Sequence, residues 1–301
     1  IGSILIPAMV KHGYPVSMAA SIQASSAELG VIIPPSVPLI LFAVSTQTSI
    51  TQLFIAGLGP GLLVAGSLIV MVQIWCRVKG YGKEDGADRR AVLPSLRNAF
   101  WALMMPVIIL GGIYGGIFTP TEAAAVAVVY ALVLGLFVYR EMTLSDLPDL
   151  FRRAAISSGA VMLIISAASL FSFLISLSGM PNTVGAWAQA TFDHGWSFLL
   201  AINILLFFVG MFIETSAAIL VLAPILTPIA ISYGIDPVHF GVVIVVNLAL
   251  GMFTPPLGVN LFAAASVAEI PVQRMFSSLV IPVVTVVTAL MMITYLPVIS
   301  L

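Results

Sequence analysis

Residues 237–268 read PVHFGVVIVVNLALGMFTPPLGVNLFAAASVA: two apolar runs flanking Pro255-Pro256, with no Lys, Arg, Asp or Glu anywhere. Paired prolines remove two amide donors and push the preceding residue to an extended conformation, so a helix cannot run through them. The stretch is therefore predicted as a discontinuous transmembrane helix. The backbone groups freed at its break must be buried in protein, line a watery cavity or hold something, because lipid offers them no partner. Residues 16–47 repeat the design around Pro34-Pro35.

The rest of the chain agrees. Of 301 residues, 60% are hydrophobic and 8% charged, whereas soluble domains carry about 25% charged residues. A water-soluble globule is excluded, and roughly eight to ten spans fit the length at about 20 residues each. A formal net charge of −1 argues against nucleic acid as a partner. The single cysteine, Cys76, excludes an intramolecular disulfide and a cysteine-based zinc site.

Most charges fall in two clusters, Arg77–Arg97 and Arg140–Arg153. Between them, Ala102–Phe118 and Ala123–Tyr139 read as two spans joined at Thr119–Glu122, with Glu122 capping the second. Both clusters then share one side, and the Lys/Arg excess marks that side as cytoplasmic. Leu58–Trp75 and Val283–Leu301 are predicted as plain spans, and Ile156–Leu177 as a span ending near Gly179. Residues 197–231 form two helical halves divided at Glu214-Thr215-Ser216. Each half is roughly 15 to 18 residues, too short to cross comfortably, and a re-entrant hairpin fits better. Thr143–Arg153, Pro181–Asp193 and Ile270–Leu279 have apolar spacing suited to helices lying along the interface, or to plain connectors.

Moving the chain by 221 positions lays Ile1–Ile40 on Leu222–Leu261 without a gap. Pro7 meets Pro228, Gly13 meets Gly234, Gly30 meets Gly251, and Pro34-Pro35 meets Pro255-Pro256; after a slip of one, Phe54 and Pro60 meet Phe276 and Pro282. This is an internal duplication. It divides the chain into a first repeat over 1–80, a connecting region with a two-span hairpin over 81–155, and a second repeat over 156–301. A counterpart of residues 156–221 is expected ahead of Ile1, which marks the sequence as a piece of a longer protein. If the copies are inverted, all eleven Lys/Arg residues land on the cytoplasmic side, Lys11 and Arg274 included. The predicted fold is an all-α polytopic membrane protein of inverted repeats, with re-entrant hairpins and discontinuous helices.

Such repeats belong to secondary transporters, whose half-helix carbonyls coordinate Na⁺ or protons and whose half-helix amino ends suit anionic groups. Candidate cradles are Glu28–Ser36, Glu214–Ser216 and Asn247–Asn260. Ser25, Ser26, Glu28 and Ser36 gather at the first break, Asn247, Thr254 and Asn260 at the second, and Glu214, Thr215 and Ser216 at the hairpin tip. Their hydroxyl, amide and carbonyl oxygens suit a hard cation, while Gly30 and Gly251 allow close approach of an ion or a backbone. Ser25 and Ser26 equally suit close helix packing, and Glu28 and Glu214 equally suit structural caps. His12, His194 and His239 are placed near interfaces, with no ligand role. Gly57-Leu58-Gly59-Pro60-Gly61 opens a span and is no nucleotide loop. His-Glu-x-x-His and phosphate-loop patterns are absent, so an enzyme is not expected.

Three runs carry a resemblance: Ala27-Glu28-Leu29-Gly30-Val31-Ile32-Ile33-Pro34-Pro35-Ser36, Phe118-Thr119-Pro120-Thr121-Glu122-Ala123-Ala124-Ala125-Val126-Ala127 and Asn247–Gly258. They resemble the large membrane subunit of TRAP (tripartite ATP-independent periplasmic) transporters. The resemblance implies a multi-pass subunit of a bacterial or archaeal inner membrane that imports a carboxylate-bearing solute, such as a C4-dicarboxylate or sialic acid, by an elevator movement driven by a Na⁺ gradient. It implies a periplasmic substrate-binding (P) protein and a small four-helix membrane (Q) subunit as partners. It also implies at least two Na⁺ sites, one at Gly30 and Pro34, the other built from Glu214, Thr215, Ser216, Asn247, Gly251 and Thr254. Without Lys or Arg in the core, the substrate carboxylate is expected at Ser36, Ser216 and Asn260. The alternative is an H⁺-coupled anion transporter, or an exchanger, working without a binding protein.

Overall fold

The computed structural model describes residues 1–81 and 92–301. Lys83, Glu84, Asp85, Asp88, Arg89 and Arg90 of the first charge cluster lie outside the described residues. Among the described residues the chain is all-helical. In order it forms α1 (Gly2–Lys11), α2 (Val16–Ser26), α3 (Leu29–Ile32), α4 (Val37–Thr46), α5 (Ile50–Lys79), α6 (Val92–Tyr114), α7 (Pro120–Val133), α8 (Leu147–Leu177), α9 (Met180–Thr191), α10 (Gly195–Phe212), α11 (Thr215–Ser232), α12 (Pro237–Gly251), α13 (Val259–Ala268) and α14 (Phe276–Tyr295). Among the described residues six helices are long and apolar enough to cross a bilayer, α10 and α11 included at 18 residues each although the sequence reading takes those halves as too short. The bent pair Val16–Ile32 and Val37–Thr46, 43° apart, brings the number to seven. The chain forms two compact units, Ile1–Glu84 with Ser169–Leu301, and Asp85–Ala168.

In the first unit α12 is the central helix, buried at every position from Val238 to Gly251. Packing in this unit is reciprocal: α1 lies on α13 while α11 lies on α4, and α2 lies on α14 while α12 lies on α5. In the second unit α6 and α7 pack as a hairpin. Thr119 caps α7: its hydroxyl accepts from the Glu122 amide, and Glu122 Oε2 accepts from the Thr119 amide at 2.8 Å. Phe118 folds back onto Gly112, where only a residue without Cβ fits.

Several boundaries differ from the sequence reading. The helix carrying Glu122 starts at Pro120, not Ala123, because Pro suits the first helical turn and Thr119 supplies the cap. Thr143–Arg153 is no separate interfacial helix. Asp146 closes a capping box with Thr143, and the 3₁₀ turn Leu144–Asp146 leads straight into α8, nothing before Ile156 breaking it. Likewise Ile270–Leu279 is a 3₁₀ turn, Val272–Met275, leading into α14. The span expected from Leu58 begins at Ile50, where Ser49 caps α5 and the helix absorbs Pro60. The span expected to reach Leu301 stops at Tyr295, since Pro297 opens a 3₁₀ turn, Pro297–Ile299.

Candidate functional site

The first break is built by local chemistry. After α3, Ile33 turns extended as a residue before proline must. Pro34-Pro35 follows, with a cis bond as in Pro255-Pro256. Ser36 restarts the helix, its hydroxyl accepting from the Leu39 amide at 3.4 Å and donating to the Val31 carbonyl. Gly57 and Gly61 of α5 back this break. A Cβ on Gly57 would stand 3.3 Å from the Ile32 carbonyl oxygen, and one on Gly61 would meet Ile33. Gly57 and Gly61, one turn apart, are thus the smooth helix face against which the bent backbone rests, while Gly59 lies against Ile299.

Glu28 is fully buried beside this break, and neither carboxylate oxygen has a hydrogen-bond partner. Ser25 is buried too, but its hydroxyl donates to the Ile22 carbonyl at 3.1 Å within its own helix. Gly30 has open space where a Cβ would go, so no backbone approaches it.

The hairpin tip is two residues long. Ile213 and Glu214 are extended, and α11 starts at Thr215. Glu214 is exposed and acts as the N-cap, accepting from the Ala217 amide at 3.1 Å and from the Ser216 hydroxyl at 2.9 Å. Thr215 is buried, and its hydroxyl has no partner.

The second break lies beside that tip. The first residue of α10, Gly195, faces Tyr233 and Ile235, just ahead of α12, while Gly210 near its end faces Gly251. The two helices therefore run side by side in one direction, each ending at its own interruption. At Gly210 and Gly251 they touch backbone to backbone, and a Cβ on Gly251 would run into Gly210. Beyond α12 the chain folds onto itself. Thr254 Oγ1 donates to the Leu250 carbonyl at 2.7 Å, and the Asn260 amide donates to the Met252 carbonyl at 2.9 Å. The Asn260 side chain reaches Ala24 O at 3.5 Å, tying α13 to the end of α2. Asn247, one turn before Gly251, is fully buried, with its Nδ2 held by Asn203 and its Oδ1 without a partner.

Among the predicted site residues, the hydroxyls of Ser36 and Thr254 are taken up in shaping their own breaks, and Ser216 in the cap. Buried oxygens without a partner stand at Glu28, Thr215 and Asn247. Free carboxylate, hydroxyl and amide oxygens are hard donors, so this donor set fits a monovalent cation such as Na⁺. Sequence reasoning missed Asn203 and Thr294; a lone amide in the otherwise apolar run Leu199–Phe212 was the available signal for the first. His239 is buried, with Nδ1 2.6 Å from Ser300 Oγ and Nε2 3.2 Å from the Thr294 carbonyl. An apolar groove of about 810 Å³ lies between α5 and α14, lined by Leu62, Val70, Ile281 and Val284, and neither break contributes to it.

The family profile described as tripartite ATP-independent periplasmic transporter, DctM component, matches residues 1–299. The chain is 42% identical over 301 residues to the C4-dicarboxylate TRAP transporter large permease protein DctM of Pseudomonas aeruginosa, covering 100% of this chain and 70% of that protein. It is 40% identical over 271 residues to the sialic acid TRAP transporter large permease protein SiaM of Vibrio cholerae, 90% of this chain and 64% of that protein. It is 43% identical over 304 residues to the isethionate TRAP transporter permease protein DctMQ of Oleidesulfovibrio alaskensis, 100% of this chain and 48% of that protein.

Proposed function

The chain belongs to the DctM component family of tripartite ATP-independent periplasmic transporters, and we propose that it couples inward movement of an organic anion to a Na⁺ gradient. One observation carries the coupling: among the described residues, buried oxygens without hydrogen-bond partners stand beside interrupted backbone at Glu28, Thr215 and Asn247, with Thr227 inside α11 as the exception. An ionised carboxylate such as Glu28 in those surroundings costs on the order of several kcal/mol unless a cation or donor compensates it. A cation at the first break would be held by Glu28 with backbone oxygens about Gly30 and Pro34. One at the second would be held by Thr215 and Asn247, with Gly251 and Thr254 shaping the loop and Glu214 and Ser216 fixing the tip.

The anion is a carboxylate or related organic acid. The relatives named for C4-dicarboxylate and sialic acid support that class, and the one named for isethionate widens it to a sulfonate. Ser216, Ser36 and Asn260 are the polar groups offered to it. A periplasmic binding protein delivers the solute and a small membrane subunit accompanies the chain in the inner membrane. The reciprocal packing of the first unit supports two related repeats, in keeping with an elevator movement of the core between inward and outward access. The chain carries out no chemical conversion.

The test is uptake by the complete complex in liposomes, with its binding protein outside and C4-dicarboxylate, sialic acid and isethionate as trial solutes. An inward Na⁺ gradient is expected to accelerate uptake at least tenfold over a K⁺ control, the scale of a 1.4 kcal/mol coupling. Uptake indifferent to Na⁺ overturns the coupling.

A further inference from the structure

Asn203 is 3% exposed in the middle of α10 and meets Asn247 and Thr294, on two other helices. Its Nδ2 donates to Thr294 Oγ1 at 3.0 Å. Its main-chain and side-chain oxygens accept from one group, Asn247 Nδ2, at 2.9 and 2.8 Å. A main-chain carbonyl can only accept, so the end of the Asn247 amide turned toward Asn203 must be the NH₂. A reversed amide would set three oxygens together and lose both bonds. Asn203 therefore dictates which end of Asn247 is left over, and that end is Oδ1, buried and without a partner.

The brace continues behind Thr294. Its carbonyl accepts from His239 Nε2 at 3.2 Å, and His239 Nδ1 accepts from the Ser300 hydroxyl at 2.6 Å. These bonds join α12 to α14 and to the turn after it. Asn203 is thus held on one side by Thr294 Oγ1 and presents two acceptors on the other.

We infer that Asn203, braced by Thr294, is a positioning residue that holds the Asn247 amide with Oδ1 free to ligate the coupling cation at the second break. The inference rests on the cation-coupled reading above. Interhelical amide bonds also act as plain adhesive between membrane helices, and the two roles separate by measurement. Partners that orient a metal ligand typically change affinity 10- to 100-fold without touching the ion.

The experiment is thermal unfolding of the intact protein in nanodiscs, titrated with NaCl against a KCl background, for wild type, Asn203→Leu, Asn247→Ala and the double variant. A ligand that binds the folded state raises Tm with its concentration, so the titration gives a half-saturating Na⁺ concentration. Asn203→Leu is expected to raise that value about tenfold. The double variant is expected to match Asn247→Ala alone, because Asn203 acts only through Asn247. Thr294→Val, which keeps the side-chain shape, shifts half-saturation in the same direction and replaces Asn203→Leu if that variant does not fold. A lower Tm at an unchanged half-saturating Na⁺ reduces Asn203 to adhesive and overturns the inference alone. So does a double variant whose loss is the product of the single losses. A wild type with no Na⁺-specific shift overturns the cation reading, and the inference with it.

Discussion

Glu28 and Glu214 are both acids beside interrupted helices, yet they end in opposite environments. Glu214 is exposed and satisfied as the cap of α11, whereas Glu28 is fully buried and has no partner. Glu28→Gln removes the charge while keeping the volume. It is expected to leave Tm unchanged or raised and to weaken Na⁺-driven uptake about tenfold or more, read side by side by thermal unfolding and liposome uptake. A large fall in Tm would mean that the carboxylate holds the fold. Thr215→Ala deletes a hydroxyl that bonds to nothing in the protein, so its removal leaves no orphaned partner and costs little stability. It is expected to lower Na⁺ dependence of uptake without lowering the yield of folded protein. Sequence reading marked both acids and left cap and ligand open for each. Only their surroundings separate them, since a charge and a helix break are local features but burial is not.

At the scale of elements, the glycines of the two breaks have different work despite their matching register. Gly251 lies against the Gly210 backbone, whereas Gly30 borders open space. Gly251→Ala is expected to destabilise the protein by about 1–3 kcal/mol through overpacking, measured as a drop in Tm. Gly30→Ala, placed in a helical turn with room for the methyl group, is expected to fold as the wild type does. An equal loss for both would refute the backbone contact. The α7 start is a separate case: Thr119→Ala opens the capping box and is expected to cost about 1 kcal/mol. The breaks, the tip and this cap were legible because proline pairs, glycines and Thr-x-x-Glu act on neighbours in the chain. The helix ends at Ile50 and Leu147 were misplaced because hydropathy marks the apolar part of a helix, while a helix extends until its caps, and both of these begin in polar turns.

For the whole molecule, charge sets orientation. With Cys76 replaced by Ser, single cysteines at Thr48 and Ser232 are expected to react with an impermeant maleimide from the periplasmic face. Cysteines at Lys11 and Arg274 are expected to react only after permeabilisation. Labelling of Lys11 and Thr48 from the same face would overturn the inverted arrangement. The amino-acid order by itself determined the polytopic helical class, the positions of both breaks and the hairpin tip, and the resemblance that the relatives uphold. These follow from hydropathy and from backbone chemistry acting over a few residues. The tertiary structure alone decided which buried oxygens are satisfied and which are left over. Asn203 meets Asn247 across 44 residues and Thr294 across 91, and no local pattern records such a meeting. It exists because α10, α12 and α14 pack closely enough for a buried amide to find, among all acceptors of the chain, the one that fixes its orientation.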